Sequence, residues 1–365
     1  MKLARFLVVV GLALAPGPLE AHKPTKTRFT YHRDVLPIFE SRCGSCHRAG
    51  GIAPMSLLNY KETFPWAVSI KTRVLALSMP PWFADERYGA FHHASTLSAT
   101  EVNTIVDWCL GGTPEGDPAA APARALDSEG SPGEPDLLLE LPEVFVLEAE
   151  RVEAFHEARL ETGLKRERLL RAIEFRPERP NAVRSALLFV VPKGSKPGAP
   201  AASWIAGERA QVWPDGRGVR VPAGSSIVAR IHYKKTWLDE GKEIRDRSAL
   251  GLYFSQGRAK PVESLVVEAR GGEGVYSLSR DVEVLSFLPK VEALLDSLLL
   301  EAVLPDGTML PLIRLRGPDP AWPRTYRLEE PLSLPKGSRI RFTMTSGDAA
   351  SLGAAHLLVV NVASH

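Results

Sequence analysis

Apolar positions in the first third of the chain recur every three or four residues. Val35, Leu36 and Phe39 share one face of residues 31–40, and residues 66–77 read as a second helix. A third opens at Ser98, which with Glu101 makes a capping box ahead of Val102, Ile105, Val106 and Trp108. Gly111 and Gly112 end it. From residue 114 to 135 the pattern gives way to Pro, Ala, Gly, Asp, Glu and Ser, the composition of a flexible tether. Beyond it, short β-rich runs recur at residues 186–192, 226–233, 249–255, 282–288, 298–304, 339–345 and 357–362. Turn signals such as Pro222-Ala223-Gly224, Pro305-Asp306-Gly307 and Pro335-Lys336-Gly337 separate them. Many short strands at this spacing predict antiparallel sandwiches, with room for two divided near residues 256–261. The expected class is multidomain α plus all-β. A small helical domain spans 28–117, a flexible linker 118–135, and two β-sandwich subdomains 136–257 and 258–365.

Composition changes this picture little. The 365 residues are 44% hydrophobic and 24% charged, with a formal net charge of +2. So small a charge gives no reason to expect nucleic acid or an anionic membrane surface as partner. The densest charged patch, residues 165–171, reads as a solvated face. The N-terminus reads as a secretory signal over residues 1–21. Lys2 and Arg5 precede a short apolar core at 6–15, and small residues lead to a cut after Ala21. No other apolar run reaches the ~18 residues that a spanning helix needs. The expectation is a periplasmic or otherwise exported protein with no integral membrane segment after cleavage.

An exported chain stapled by disulfides would carry many cysteines; this one has three. Cys109 reads as a buried small apolar group. The other two form Cys43-Gly44-Ser45-Cys46-His47, the attachment motif of a c-type haem. Positions i and i+3 of a helical turn face one side, so both thiols can meet the vinyl groups of one porphyrin, with His47 as ligand to its iron. Gly44 and Ser45 are small enough to let the porphyrin lie close. A redox Cys-x-x-Cys needs no adjacent His, and a zinc site would need two further ligands.

For the sixth iron ligand the sequence favours Met79, in Ser78-Met79-Pro80-Pro81-Trp82. Two prolines stiffen the backbone behind it, and the Trp82 indole can pack on the porphyrin. His92 and His93 are the alternatives, and Met55 is too near His47 to reach the opposite face.

The β region resembles the copper type II ascorbate-dependent monooxygenase family, of which peptidylglycine α-hydroxylating monooxygenase is a member. The resemblance is carried by Arg176-Pro177 leading to Val183, and by Val221-Pro222-Ala223-Gly224 leading to Ile231-His232-Tyr233. Asp246-Arg247-Ser248 before Leu250-Gly251-Leu252, and Thr325-Tyr326-Arg327-Leu328 before Leu334-Pro335-Lys336-Gly337, add to it. It implies two jelly-roll subdomains with a copper in each, and bacterial relatives often carry a fused cytochrome domain. The family's ligands mostly do not carry over. Arg184-Ser185 stands where the family has a His pair, and Lys290-Val291-Glu292 stands where it has His-x-His. His232 is retained, and His356 lies where the methionine ligand is expected. These two are the candidate copper ligands, one expected in each subdomain. Copper wants imidazoles converging on one ion, so no bound copper is expected. Nor do the N-terminal His22 left by cleavage, His156 or His365 supply a motif.

Three functional readings follow. The first is an exported electron carrier holding one covalent haem c, with a non-catalytic β region and a periplasmic redox partner protein. The second is a copper monooxygenase fed by its own haem. The third is a haem-bearing scaffold subunit of an envelope complex.

Overall fold

A computed structural model describes residues 26–122, 132–269, 271–354 and 356–363. The signal segment 1–21, His22, His365 and half of the expected linker, residues 123–131, lie outside the described residues. Of that linker, residues 118–120 form a 3-10 turn capped by Asp117.

The helical unit contains Leu36–Arg42 (α1), Tyr60–Thr63 (α2), Ala67–Leu75 (α3) and Ala99–Leu110 (α4). A π-helical turn, Tyr31–Val35, leads into α1. Ser98 caps α4 as its sequence predicts. Its hydroxyl accepts from Glu101 N–H at 3.2 Å, and the Glu101 carboxylate accepts from Ser98 N–H at 2.6 Å. At the other end Gly112 takes the left-handed conformation that a helix exit requires. Tyr31, Val35, Phe39, Ile70, Val74, Ile105 and Trp108 close the core, and the Tyr31 hydroxyl donates to Leu57 O at 2.9 Å.

The first β unit runs through Leu137–Glu140 (β1), Phe145–Leu147 (β2), Glu153–Glu161 (β3), Arg168–Arg176 (β4) and Val183–Val191 (β5). It continues with Ala202–Ile205 (β6), Gln211–Val212 (β7), Arg217–Val221 (β8), Ser226–Lys234 (β9), Ile244–Asp246 (β10) and Ala249–Phe254 (β11). The second unit holds Lys260–Ala269 (β12), Glu273–Ser277 (β13), Val282–Lys290 (β14) and Ser297–Val303 (β15). Met309–Arg316 (β16), Tyr326–Leu334 (β17), Arg339–Thr345 (β18), a short helix Ala349–Gly353 (α5) and His356–Ala363 (β19) complete it. In the first unit β1-β11-β4-β8 faces β3-β9-β5-β6 across one core. In the second, β12-β19-β14-β17 faces β13-β18-β15-β16 across another. All seven strands expected from the sequence are present. The architecture is a helical unit followed by β-sandwich-like sheets.

Two long-range features were not expected. β8 and β12 pair in parallel, Arg217 opposite Lys260 and Val219 opposite Val262, so one sheet of each unit fuses into a continuous sheet. The helical unit also sends a strap back over the second β unit. Ala84 bridges Leu315 on β16, and Phe91 bridges Leu328 on β17. Each is an edge strand, so the strap occupies backbone groups that would otherwise stay unpaired.

Two local readings are corrected. Trp82 is buried in the second β core against Tyr326, 5.2 Å between ring centroids, and this packing claims the indole that the sequence assigned to the porphyrin. Residues 165–171 are only half a solvated face. Residues 165–167 are exposed, whereas Arg168 begins β4, where Leu170 is fully buried. The charges mislead because the Arg168 and Arg171 guanidinium groups lie over the Phe254 and Tyr253 rings.

Candidate functional site

The Cys-x-x-Cys-His segment continues from α1 as a further turn. Cys46 N–H and His47 N–H both donate to Cys43 O, at 3.1 and 2.9 Å. Gly44 is required by close approach. A Cβ there would lie 3.0 Å from Glu40 O and 3.2 Å from Leu58. The space saved at Gly44 is thus taken by α1 and Leu58, where the sequence reserved it for a porphyrin.

Both thiols are free. Burial, followed by the neighbouring Cys46, pushes the Cys43 thiol up to about 12. Burial also raises Cys46, whose Sγ–H donates to Ala206 O in the first β unit at 3.0 Å. A redox Cys-x-x-Cys works through a thiol lowered toward neutrality. Here burial raises both, opposite to what a thiolate nucleophile needs. His47 Nδ1–H donates to Met55 O at 3.3 Å, and burial lowers its pKa. A neutral imidazole that donates from Nδ1 keeps its lone pair on Nε2, the tautomer of a metal-ligating histidine oriented by a carbonyl. Two free thiols on one turn beside such an imidazole fit the donor set of a c-type haem.

The structure does not bring Met79 to this turn. It follows α3 through a cis peptide to Pro80, is 37% exposed, and shares neither a hydrogen bond nor an apolar cluster with the motif. Met55 is the methionine that packs in the cluster with Cys43. His92 and His93 lie on the strap, where His92 N–H donates to Arg327 O. Cys109 is half-buried in the helical core, its thiol raised to about 12 by burial.

Strand register brings together the positions that the resemblance assigns to copper. β5 carries a bulge at Arg184, so that Val183 pairs with Tyr233 and Ser185 with His232. In the second unit Lys290 pairs with Leu357, and Glu292 N–H donates to His356 Nδ1 at 3.2 Å. The imidazoles themselves are committed elsewhere. His232 Nε2 lies 2.6 Å from Glu153 Oε1, and its ring stacks on Phe155 at 4.4 Å. Burial lowers its pKa against the opposing pull of Glu153. Because His356 Nδ1 accepts, its Nε2–H donates, to Ser351 O at 2.7 Å, which leaves neither nitrogen free. Among the described residues no three His, Cys, Asp or Glu side chains converge as a metal site.

Sequence reading missed a cluster where the helical unit meets both β units. A Cβ on Gly207 would lie 2.8 Å from Ser45 Oγ and 3.0 Å from Cys46 Sγ. Glu208 beside it pairs with Arg324 at 3.2 Å. The Arg324 guanidinium lies over Trp82, and that of Arg184 over Trp322, 5.1 and 4.9 Å from the ring centroids. No local pattern announces this cluster. Its members come from β5, the loop after β6, the strap and the segment before β17.

No family model matches the chain, and no curated protein matches it. Solved structures similar to it include the major capsid protein P2 of bacteriophage PM2 and N-glycanase F. The first is 10% identical with a TM-score of 0.27, covering 62% of this chain and 97% of that one. The second is 9% identical with a TM-score of 0.27, covering 62% and 95%. Likeness at this level carries no functional argument. Among the described residues no helix is long and apolar enough to cross a membrane.

Proposed function

We propose that the chain is an exported electron-transfer protein that carries one haem c on Cys43 and Cys46, with His47 as an iron ligand. The observation that carries the reading is the turn itself: two free, protonated thiols in i, i+3 relation beside an imidazole whose Nδ1 is held by Met55 O. When bound, haem supplies a one-electron ferric–ferrous couple. The chain's residues attach it, orient the imidazole and surround the motif with apolar packing. Exposed Val68, Leu75, Leu77 and Met79 on and just after α3 are in keeping with a prosthetic group that shares the core of a small helical unit. Met79 remains the proposed sixth ligand, and reaching the iron requires the segment after α3 to settle differently once haem is attached.

The β region is read as two jelly-roll subdomains of the monooxygenase type without their copper chemistry. In support, the framework positions adjoin as that resemblance requires, Arg184 beside His232 and Glu292 beside His356. The side chains there form ion pairs and backbone hydrogen bonds instead of converging imidazoles. A periplasmic redox partner would exchange electrons with the haem.

The test is iron and copper per chain, on protein matured with haem, incubated with copper and desalted. One iron with no copper is expected, with haem that stays attached on a denaturing gel and is lost in Cys43→Ala and Cys46→Ala. One or two coppers per chain would return monooxygenase chemistry to first place. Absence of covalent iron would overturn the haem reading.

A further inference from the structure

The outer face of the first β unit carries a feature that electron transfer does not use. On β3, Ala154, Ala158 and Leu160 point into the core, so Glu153, Phe155 and Glu157 point away from it. Phe155 is 77% exposed, yet its ring is not loose. It lies flat on the imidazole of His232, its cross-strand partner on β9, with 4.4 Å between centroids and 13° between planes. That imidazole is buried and tied to Glu153 Oε1 at 2.6 Å. One face of the phenyl ring is thus backed by a fixed surface while the other meets solvent. Cross-strand ion pairs bracket the ring along the strand. Lys234 meets Glu153 at 3.0 Å on one side and Arg230 meets Glu157 at 2.6 Å on the other, and all four side chains reach solvent.

The charges decide what such a platform takes. Two acids and two bases cancel, so the row lacks the surplus of cations that a nucleic acid or an acidic polymer requires. The core of a protein interface is depleted of charge, and covering these pairs with apolar surface would strip away their water at a cost. A sugar ring meets both demands. Its C–H face stacks on the phenyl ring, and its hydroxyls replace the water around Glu153, Glu157, Arg230 and Lys234. We propose that Phe155 is the stacking platform of a carbohydrate subsite on the outer β3–β9 face, taking a sugar ring of an uncharged glycan. The subsite gives the β region a task of its own, fastening the chain to polysaccharide. It also gives His232 one, as the backing of the platform instead of a metal ligand. The inference does not depend on the haem reading.

Titration of the full-length protein with neutral tetrasaccharides of glucose, xylose, mannose and N-acetylglucosamine tests it, read by calorimetry and by saturation-transfer NMR. At least one should bind, with saturation reaching the C–H protons of a sugar ring. Phe155→Ala should weaken that binding about tenfold, the order of effect when a stacking aromatic is truncated. Phe155→Trp should retain it. Because the ring is exposed, Phe155→Ala should leave thermal unfolding nearly unchanged, so lost binding will not reflect lost folding. Sugar affinity should be the same at about 50 and 200 mM salt, an interval over which an anionic polymer is released. Failure to bind any of the four sugars, or binding that Phe155→Ala leaves unmoved, would overturn the subsite. So would preference for an acidic polymer or a protein over every neutral glycan. Wild-type protein that binds sugar without covalent haem would remove the electron-transfer reading and leave this one standing.

Discussion

The helical unit and the β region solve the problem of burying apolar surface differently. A helix hides one stripe, so α3 buries Ala67, Ile70 and Val74 while Val68 and Leu75 stay exposed. Each β unit instead closes a core between two sheets, and central strands such as β9 and β14 are buried along most of their length. The traffic between them is one-way. The helical unit gives Ile52 to the first β core and Trp82, Ala84 and Phe91 to the second, keeping a small cluster for itself. The difference teaches that the β region supports itself, whereas the helical unit depends on what it is docked to and, in the proposed reading, on its haem.

The largest expected effect attacks the self-supporting side. Phe287 on β14 is fully buried, and Phe287→Ala should cost about 3–5 kcal/mol. Calorimetry should show the loss in the β transition while the transition of the helical unit stays in place. Equal loss in both regions would show that the two fold as one unit.

Next comes the contact between regions. Gly207 sits at φ +88°, with no room for a Cβ beside Ser45 and Cys46. Gly207→Ala should cost about 1–3 kcal/mol through overpacking and backbone strain. Hydrogen exchange should rise over residues 43–52 and 203–208, and unchanged exchange there would mean that the contact is incidental.

The strap offers a pH-dependent handle. The side-chain bond from Arg87, then Arg316 on β16, holds the Asp85 carboxyl well below its ordinary value despite partial burial. The folded value is below the unfolded one, so this contribution is complete above about pH 4 and is lost as pH falls through the folded value. Asp85→Asn should cost about 1.5–3 kcal/mol near neutrality, the range for hydrogen bonds to charged groups. The penalty should vanish in strong acid. A penalty independent of pH would place the effect outside this ion pair.

The smallest effect lies within the helical unit. Ser98→Ala removes the cap of α4 and should cost about 1 kcal/mol. Confinement of that loss to the helical unit, read by far-UV dichroism against near-UV signals from the β tryptophans, would sharpen the contrast between the two regions.

Much of this molecule was legible before any coordinates. The α4 cap and the positions of seven strands are written in neighbouring residues, because caps and alternation need only a few consecutive positions. The strands that escaped notice, such as β3, β4 and β12, interleave Arg, Lys and Glu with apolar residues, so their outward faces mask the pattern. Trp82 was misplaced for a related reason. Its neighbours in sequence belong to the helical unit, but it packs in space against Tyr326 of β17.

By itself, then, the sequence determined the two textures of the chain and the short turn that holds Cys43, Cys46 and His47 together. Only the tertiary structure decided that β8 and β12 join the sandwiches, that a strap covers two strand edges, and that Arg184, Glu208 and Arg324 gather beneath Cys46. Those arrangements depend on pairing between residues far apart in the chain, where packing and charge compensation select partners that no local pattern encodes.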